Sequence, residues 1–128
     1  MSERLVAAAR EARERAFAPF SKFRVGAALE AEDGTVITGC NVESASYGLT
    51  MCAERVAIFK AVSEGKTRIV RVAIVTDAKT LTSPCGACRQ LLWEFAPDAD
   101  VILANLAGVS KRWAMPELLP DAFDASKM

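Results

Sequence analysis

Ile69-Val70-Arg71-Val72-Ala73-Ile74-Val75-Thr76 is an almost unbroken run of β-branched and apolar residues, and its reading decides the fold. A run of this kind suits a central strand covered on both faces. A helix is expected on either side of it in sequence. Cys52 to about Glu64 offers Val56, Ala57, Phe59, the stem of Lys60, Ala61 and Val62 for packing, and Gly65 is its natural stop. After a loop from Asp77 to Pro84, a second helix covers Cys85 to about Phe95, and Pro97 prevents its continuation. In a right-handed crossover the two helices lie side by side, with both amino termini at one sheet edge.

That placement gathers cysteines. Cys85 and Cys88, three apart at a helix start, share one face and can grip one ion, and the crossover brings Cys52 to the same point. The meeting place is the carboxyl end of the strands, where open α/β sheets keep their sites. Clustered thiolates favour a soft-accepting divalent metal, of which zinc is the usual occupant. A structural zinc would need a fourth protein ligand, whereas a catalytic one leaves that place for water. Glu54, two residues after Cys52, is placed to work on such a water. Three thiolates exceed the charge of one zinc ion, and two helix amino termini offset much of the excess. Arg55 can hydrogen-bond a thiolate sulfur and supply a further positive charge, or it can serve as an ordinary surface ion pair. Two other readings of the cysteines stay open. Cys40 could close a four-cysteine structural site, or Cys85 and Cys88 could form a redox pair, which would leave Cys52 and Glu54 unexplained.

The rest of the chain supplies the other layers. Ser2 to about Ala16 reads as an amphipathic packing helix, capped by Ser2, with Leu5, Ala8, Ala9, Ala12 and Ala16 as its apolar stripe. Phe17 to Phe23 is a loop with three aromatics, which either plug the end of the core or, through Phe20, line a pocket for a flat ligand. Arg24 to Ala31 and Thr35 to Val42 form an antiparallel pair around Asp33-Gly34. Asn41 and Glu43 alternate with Val42 and leave the second strand on one side, either as a solvated strand end or as hydrogen-bonding groups for a polyhydroxyl ligand. Val101 to Asn105 and Ser110 to Met115 are further strands, and Pro116 opens a single helical turn. The expected fold is α/β: a three-layer α-β-α arrangement with a mixed, roughly five-stranded sheet, in one domain over residues 1–128.

Composition narrows the chemistry. The 128 residues include no histidine, which excludes a Ser-His-Asp triad, a Cys-His nucleophile pair and a His-ligated metal. Sixteen basic and sixteen acidic residues cancel, so no electrostatic footprint for nucleic acid is expected. No stretch approaches the roughly twenty apolar residues of a membrane span, and reduced cytoplasmic thiols are expected, so the cysteines point to metal or chemistry before disulfides.

Cys52-Ala53-Glu54 followed by Pro84-Cys85-Gly86-Ala87-Cys88 resembles the zinc-dependent cytidine deaminases, in particular the small all-cysteine, usually homotetrameric class. The resemblance runs from Pro19-Phe20-Ser21 through Gly39-Cys40-Asn41-Val42-Glu43 to Glu117-Leu118-Leu119-Pro120. It implies one Zn2+ per subunit on Cys52, Cys85 and Cys88, with Glu54 as the proton shuttle. It further implies hydrolysis of free cytidine and 2′-deoxycytidine to the uridines, as in pyrimidine salvage. Asn41 and Glu43 would hold ribose hydroxyls, Phe20 would pack on the base, and the backbone of Ala53 would read the pyrimidine. Tyr47 would shape the pocket, Arg55 would temper the thiolate charge, and Phe123 would reach a neighbouring subunit's pocket. Many members carry Asn where this chain has Ser44, and Pro where it has Gly48, which bears on loop shape rather than chemistry.

Overall fold

The computed structural model describes residues 2–128. Its centre is β3 (Ile69–Thr76), third in a five-stranded sheet of order β2-β1-β3-β4-β5, with β1 Gly26–Ala31, β2 Val36–Cys40, β4 Asp100–Asn105 and β5 Ser110–Ala114. β3 and β4 are parallel, and the other neighbours are antiparallel, so the sheet is mixed as expected. The parallel pair needs a long crossover, which α3 (Gly86–Phe95) supplies.

Period-two alternation of strand side chains divides the core between the two sheet faces. Val72 and Ile74 of β3, with Val101 and Leu103 of β4, face the side where α2 (Ala53–Ser63) and α3 pack. Ala73 and Val75, with Ile102 and Ala104, face Leu5 and Ala9 of α1 (Ser2–Arg13) on the other. Both faces of β3 are thus buried in apolar residues, which is why its sequence reads as a continuous run. Each fully buried Leu or Ile contributes about 1.5–3 kcal/mol. The short α4 (Met115–Leu118) closes the α2/α3 side through buried Met115 and Leu118.

Two glycines let the helices sit close. A Cβ on Gly26 would lie 1.9 Å from the Ala9 carbonyl oxygen of α1, and one on Gly39 would lie 2.7 Å from the Ala53 carbonyl oxygen of α2. Helices therefore touch the sheet backbone directly on both faces.

Some boundaries differ from expectation. α1 ends at Arg13 rather than near Ala16, because the chain tightens into three-residue turns (Glu14 N–H to the Glu11 carbonyl, 3.1 Å; Ala16 N–H to that of Arg13, 3.1 Å). It then runs alongside Val42, with the Phe17 N–H donating to the Asn41 carbonyl at 3.0 Å. The expected cap at Ser2 lies outside the residues whose side chains are described. β1 begins at Gly26 and β2 ends at Cys40, so Arg24 and Asn41 stand just beyond the ladder. The Asp33-Gly34 turn forms as expected, with Gly34 at φ +90° and the Thr35 N–H donating to Asp33 Oδ1 at 3.0 Å.

Candidate metal centre and adjoining cavity

Cys52 and Cys85 are the residues that immediately precede α2 and α3, both in extended backbone conformation. The expected helix starts are thus displaced by one residue, and each cysteine occupies the capping position. Cys88 lies in the first turn of α3 and is fully buried. α2 and α3 contact one another, which brings the Cys85 sulfur to 3.9 Å from that of Cys52 and 3.4 Å from that of Cys88. All three sulfurs lie within 4.8 Å of one another. Cys40, half-buried at the end of β2, is not in this group, so the described residues do not build a four-cysteine site.

The donor set fits a divalent cation. Burial pushes the Cys88 thiol up, and the charge of the neighbouring Glu54 carboxylate pushes it further. Partial burial also opposes ionisation of Cys85. There the N–H of Cys88 and the side chains of Cys88 and Cys52 outweigh it and hold the thiol below its ordinary value. Arg55 Nη2 donates to the Cys52 sulfur at 3.3 Å, and this contact raises the guanidinium's pKa despite desolvation. Arg55 therefore faces the cluster rather than an acidic surface partner. Three sulfurs that share one buried carboxylate and one arginine are what a divalent ion with a thiolate preference relieves.

Glu54 is 5% exposed on the first turn of α2. Burial raises its pKa, against smaller lowering effects from its own N–H, from Cys88 and from Arg55. Ala53, also fully buried, is the first residue of α2, so its N–H has no acceptor within the helix.

A cavity of about 340 Å³ is lined by Phe20, Ser21, Glu43, Tyr47 and Thr50. Thr50 stands two residues before Cys52, and the segment between them is fixed by paired bonds of Met51 and Val42 (Val42 N–H to the Met51 carbonyl, 3.0 Å; the reverse, 2.9 Å). The Phe20 and Tyr47 rings meet edge to face at 6.2 Å between centroids. Phe17, Phe20 and Phe23 are 56%, 49% and 39% exposed, so this loop does not plug the core.

Asn41 and Glu43 do more than leave a strand end. Asn41 is buried, its Oδ1 accepting the Val25 N–H at 2.8 Å and its Nδ2 donating to the Phe23 carbonyl at 2.8 Å. Glu43 takes the N–H groups of Phe20 (3.0 Å) and Ser21 (3.1 Å), and the Ser21 hydroxyl as well. Together they brace the aromatic loop, in which Lys22 adopts a left-handed φ of 61°, a conformation that costs a non-glycine residue roughly 1–2 kcal/mol. Ser21 is a lining residue that sequence reasoning missed. Phe123 stands apart from this cavity, exposed, with its carbonyl accepting from Gln90 Nε2 at 2.8 Å.

Fold and site define the class of α/β hydrolytic metalloenzymes, here with a three-cysteine cluster suited to a metal ion and a buried carboxylate in the adjoining helix turn. Known proteins agree. The family model for the cytidine and deoxycytidylate deaminase zinc-binding region matches residues 1–104. A cytidine deaminase of Halalkalibacterium halodurans is 53% identical over 97% of this chain and 95% of its own length. One from Sporosarcina psychrophila is 50% identical, covering 94% and 90%. The crystal structure of cytidine deaminase from Burkholderia pseudomallei superimposes with a TM-score of 0.93 at 46% identity, over 96% of this chain and 99% of that one. The chain belongs to the zinc-dependent cytidine deaminase family.

Proposed function

We propose that this chain hydrolyses free cytidine and 2′-deoxycytidine to uridine and 2′-deoxyuridine, consuming water and releasing ammonia. The observation that carries the reading is the three-sulfur cluster with buried Glu54 beside it, on a chain of this family. Cys52, Cys85 and Cys88 would hold one zinc ion per subunit, which would supply the Lewis acidity that makes a water nucleophilic near neutral pH. Glu54 is the proton shuttle. It takes a proton from the attacking water and gives it to the ring nitrogen of the base. It then takes the second proton from the hydroxyl newly bonded to the ring carbon and delivers it to the amine, which leaves as ammonia. Its burial favours this role, since a carboxyl raised above its ordinary range both accepts and returns a proton readily. Arg55 balances the thiolate charge through Cys52.

The substrate groups follow the same reading. Phe20 packs on the base and the Ala53 backbone recognises it. Glu43 and Asn41, with the acceptor and donor capacity left after bracing the loop, meet ribose hydroxyls. Tyr47 completes the pocket wall beside Phe20, a role supported by their shared cavity. Phe123, exposed on its own chain, serves the pocket of a neighbouring subunit in a homotetramer. Residues 1–128 act as one catalytic domain, in cytoplasmic pyrimidine salvage. Among the described residues no helix is long and apolar enough to cross a membrane.

The test is direct. Zinc-loaded protein incubated with cytidine yields equimolar uridine and ammonia. Neither product, with zinc confirmed bound by metal analysis of the same sample, would sink the assignment.

A further inference from the structure

Arg89 follows Cys88 in α3 and spends its guanidinium on two backbone carbonyls. Nε donates to the Pro84 oxygen at 2.8 Å and Nη1 to the Leu118 oxygen at 2.8 Å. Pro84 is buried and immediately precedes Cys85, and Leu118 is buried at the end of α4. A buried carbonyl needs a donor, and the planar guanidinium fork sets two acceptors in fixed relation to each other.

The surroundings of Cys85 show why this matters. Ser83, Cys85, Gly86 and Ala87 are all exposed, and a Cβ on Gly86 would meet no atom within 4 Å. Packing therefore does little to hold this part of the metal loop. Cys88 is fixed by complete burial, and Cys52 by the helix that Gly39 admits to the sheet. Cys85 is the cysteine of the three without such support. Its sulfur meets the Cys88 N–H and the other two sulfurs. Its backbone is held by the first helical bond, from the Arg89 N–H to the Cys85 carbonyl at 2.9 Å, and by the Arg89 side chain on the carbonyl just before it.

We propose that Arg89 is a positioning residue for the metal centre, holding the Pro84–Cys85 segment so that Cys85 and Cys88 face one ion with Cys52. It acts through the backbone and touches no sulfur, unlike Arg55. The inference rests on the assignment of these three cysteines to zinc. Gln90 and Trp93 provide an internal comparison. They also tie α3 to the chain's end, through the Phe123 carbonyl at 2.8 Å and Asp124 Oδ2 at 2.9 Å, but neither reaches Pro84.

The experiment measures zinc release to a chromophoric chelator, with the thiolate-to-metal absorption of the cobalt-substituted protein as a second readout and circular dichroism to confirm folding. Wild-type protein that retains no zinc would overturn the metal assignment itself. Given retention, Arg89→Gln is expected to release zinc roughly 10- to 100-fold faster. Arg89→Lys, whose single ammonium satisfies one carbonyl at best, is expected to fall between the two and to lower kcat more than it raises KM. Gln90→Ala and Trp93→Phe are expected to release zinc at the wild-type rate. If Arg89→Gln does not fold, Arg89→Lys decides the matter. Wild-type release and wild-type cobalt absorption in the folded Arg89 variants would overturn the proposal, as would equal acceleration in Gln90→Ala and Trp93→Phe.

Discussion

Ser21 and Glu43 form one hydrogen-bonded unit at the wall of the cavity. The Ser21 hydroxyl donates to Glu43 Oε2 while accepting the Phe23 N–H at 3.0 Å, so it is committed in both directions. Oε1 takes two backbone N–H groups, from Phe20 and Ser21. The carboxylate is left with about one open acceptor position, on Oε2, and the serine decides where that position points. Ser21→Ala is therefore expected to raise KM for cytidine by about tenfold, the scale of one hydrogen bond to a charged group, with kcat little changed. Steady-state kinetics on the zinc-loaded enzyme check it, and an unaltered KM would show that Glu43 is oriented without the serine.

The same unit makes a pH prediction. The Ser21 hydroxyl first, then the Ser21 and Phe20 N–H groups and the nearby Lys22 charge, outweigh slight desolvation and hold Glu43 below its ordinary value of 4.5. A carboxylate with a depressed folded-state pKa stabilises the fold fully above its unfolded value, and that contribution is lost as pH falls through the lower folded value. The aromatic loop should stay braced at pH 4.5 and loosen only in stronger acid. Carbon NMR of the Glu43 carboxyl should show the depressed titration, and Ser21→Ala should move it back up towards 4.5. A wild-type titration at or above 4.5 would contradict the geometry.

How much of this was legible beforehand depends on where the partner groups lie. Ile69–Thr76 announced the central strand because burial on both faces removes the polar alternation that would otherwise mark it. The three-cysteine cluster was legible because Cys85 and Cys88 are close on one helix turn, and a helix and a strand separate them from Cys52. Ser21 and Arg89 were not, for a common reason. Their partners are a carboxylate 22 residues away and a main-chain carbonyl 29 residues away, and backbone carbonyls carry no sequence signature. For Asn41 the sequence leaves a solvated strand end or a ligand-binding group; that its amide also spans Phe23 and Val25 is visible only once β2 and the loop are side by side. The early end of α1 was hidden too, because it is imposed by the pairing of Phe17 with Val42 and not by any breaker residue.

Glu54→Gln tests the proton shuttle separately from the metal. The amide keeps the volume of the buried side chain and removes its ability to hold and return a proton. Turnover should fall by about 10²–10⁴-fold, the usual contribution of a positioned acid-base group, while zinc content stays at one per chain. Metal analysis alongside the kinetics distinguishes this from a collapsed site, and near-wild-type turnover would remove Glu54 from the chemistry.

Chelation should show that metal and fold are linked. The cluster holds two capping cysteines of adjacent helices, so an ion that binds only the folded arrangement adds to its stability by mass action. Removing zinc with a strong chelator should lower the thermal midpoint, and restoring zinc should recover it. An unchanged midpoint would mean that α2 and α3 meet equally well without the ion.

Gly39→Ala reaches the site from the sheet side. A Cβ there would lie 2.6 Å from the Ala57 nitrogen and 2.7 Å from the Ala53 carbonyl oxygen, both backbone atoms of α2 that cannot swing aside as a side chain would. The first turn of α2 must lift from β2, carrying Cys52 and Glu54 with it. Overpacking of this kind costs about 1–3 kcal/mol, which urea unfolding would register, and zinc should leave faster because one of its three cysteines has been displaced. Gly48→Ala is the matched control, since a Cβ there meets nothing within 4 Å and the residue is not among the positive-φ glycines. It should leave stability within about 0.5 kcal/mol of wild type. If Gly39→Ala proved as harmless as Gly48→Ala, the close seating of α2 on the sheet would not be what sets the position of Cys52.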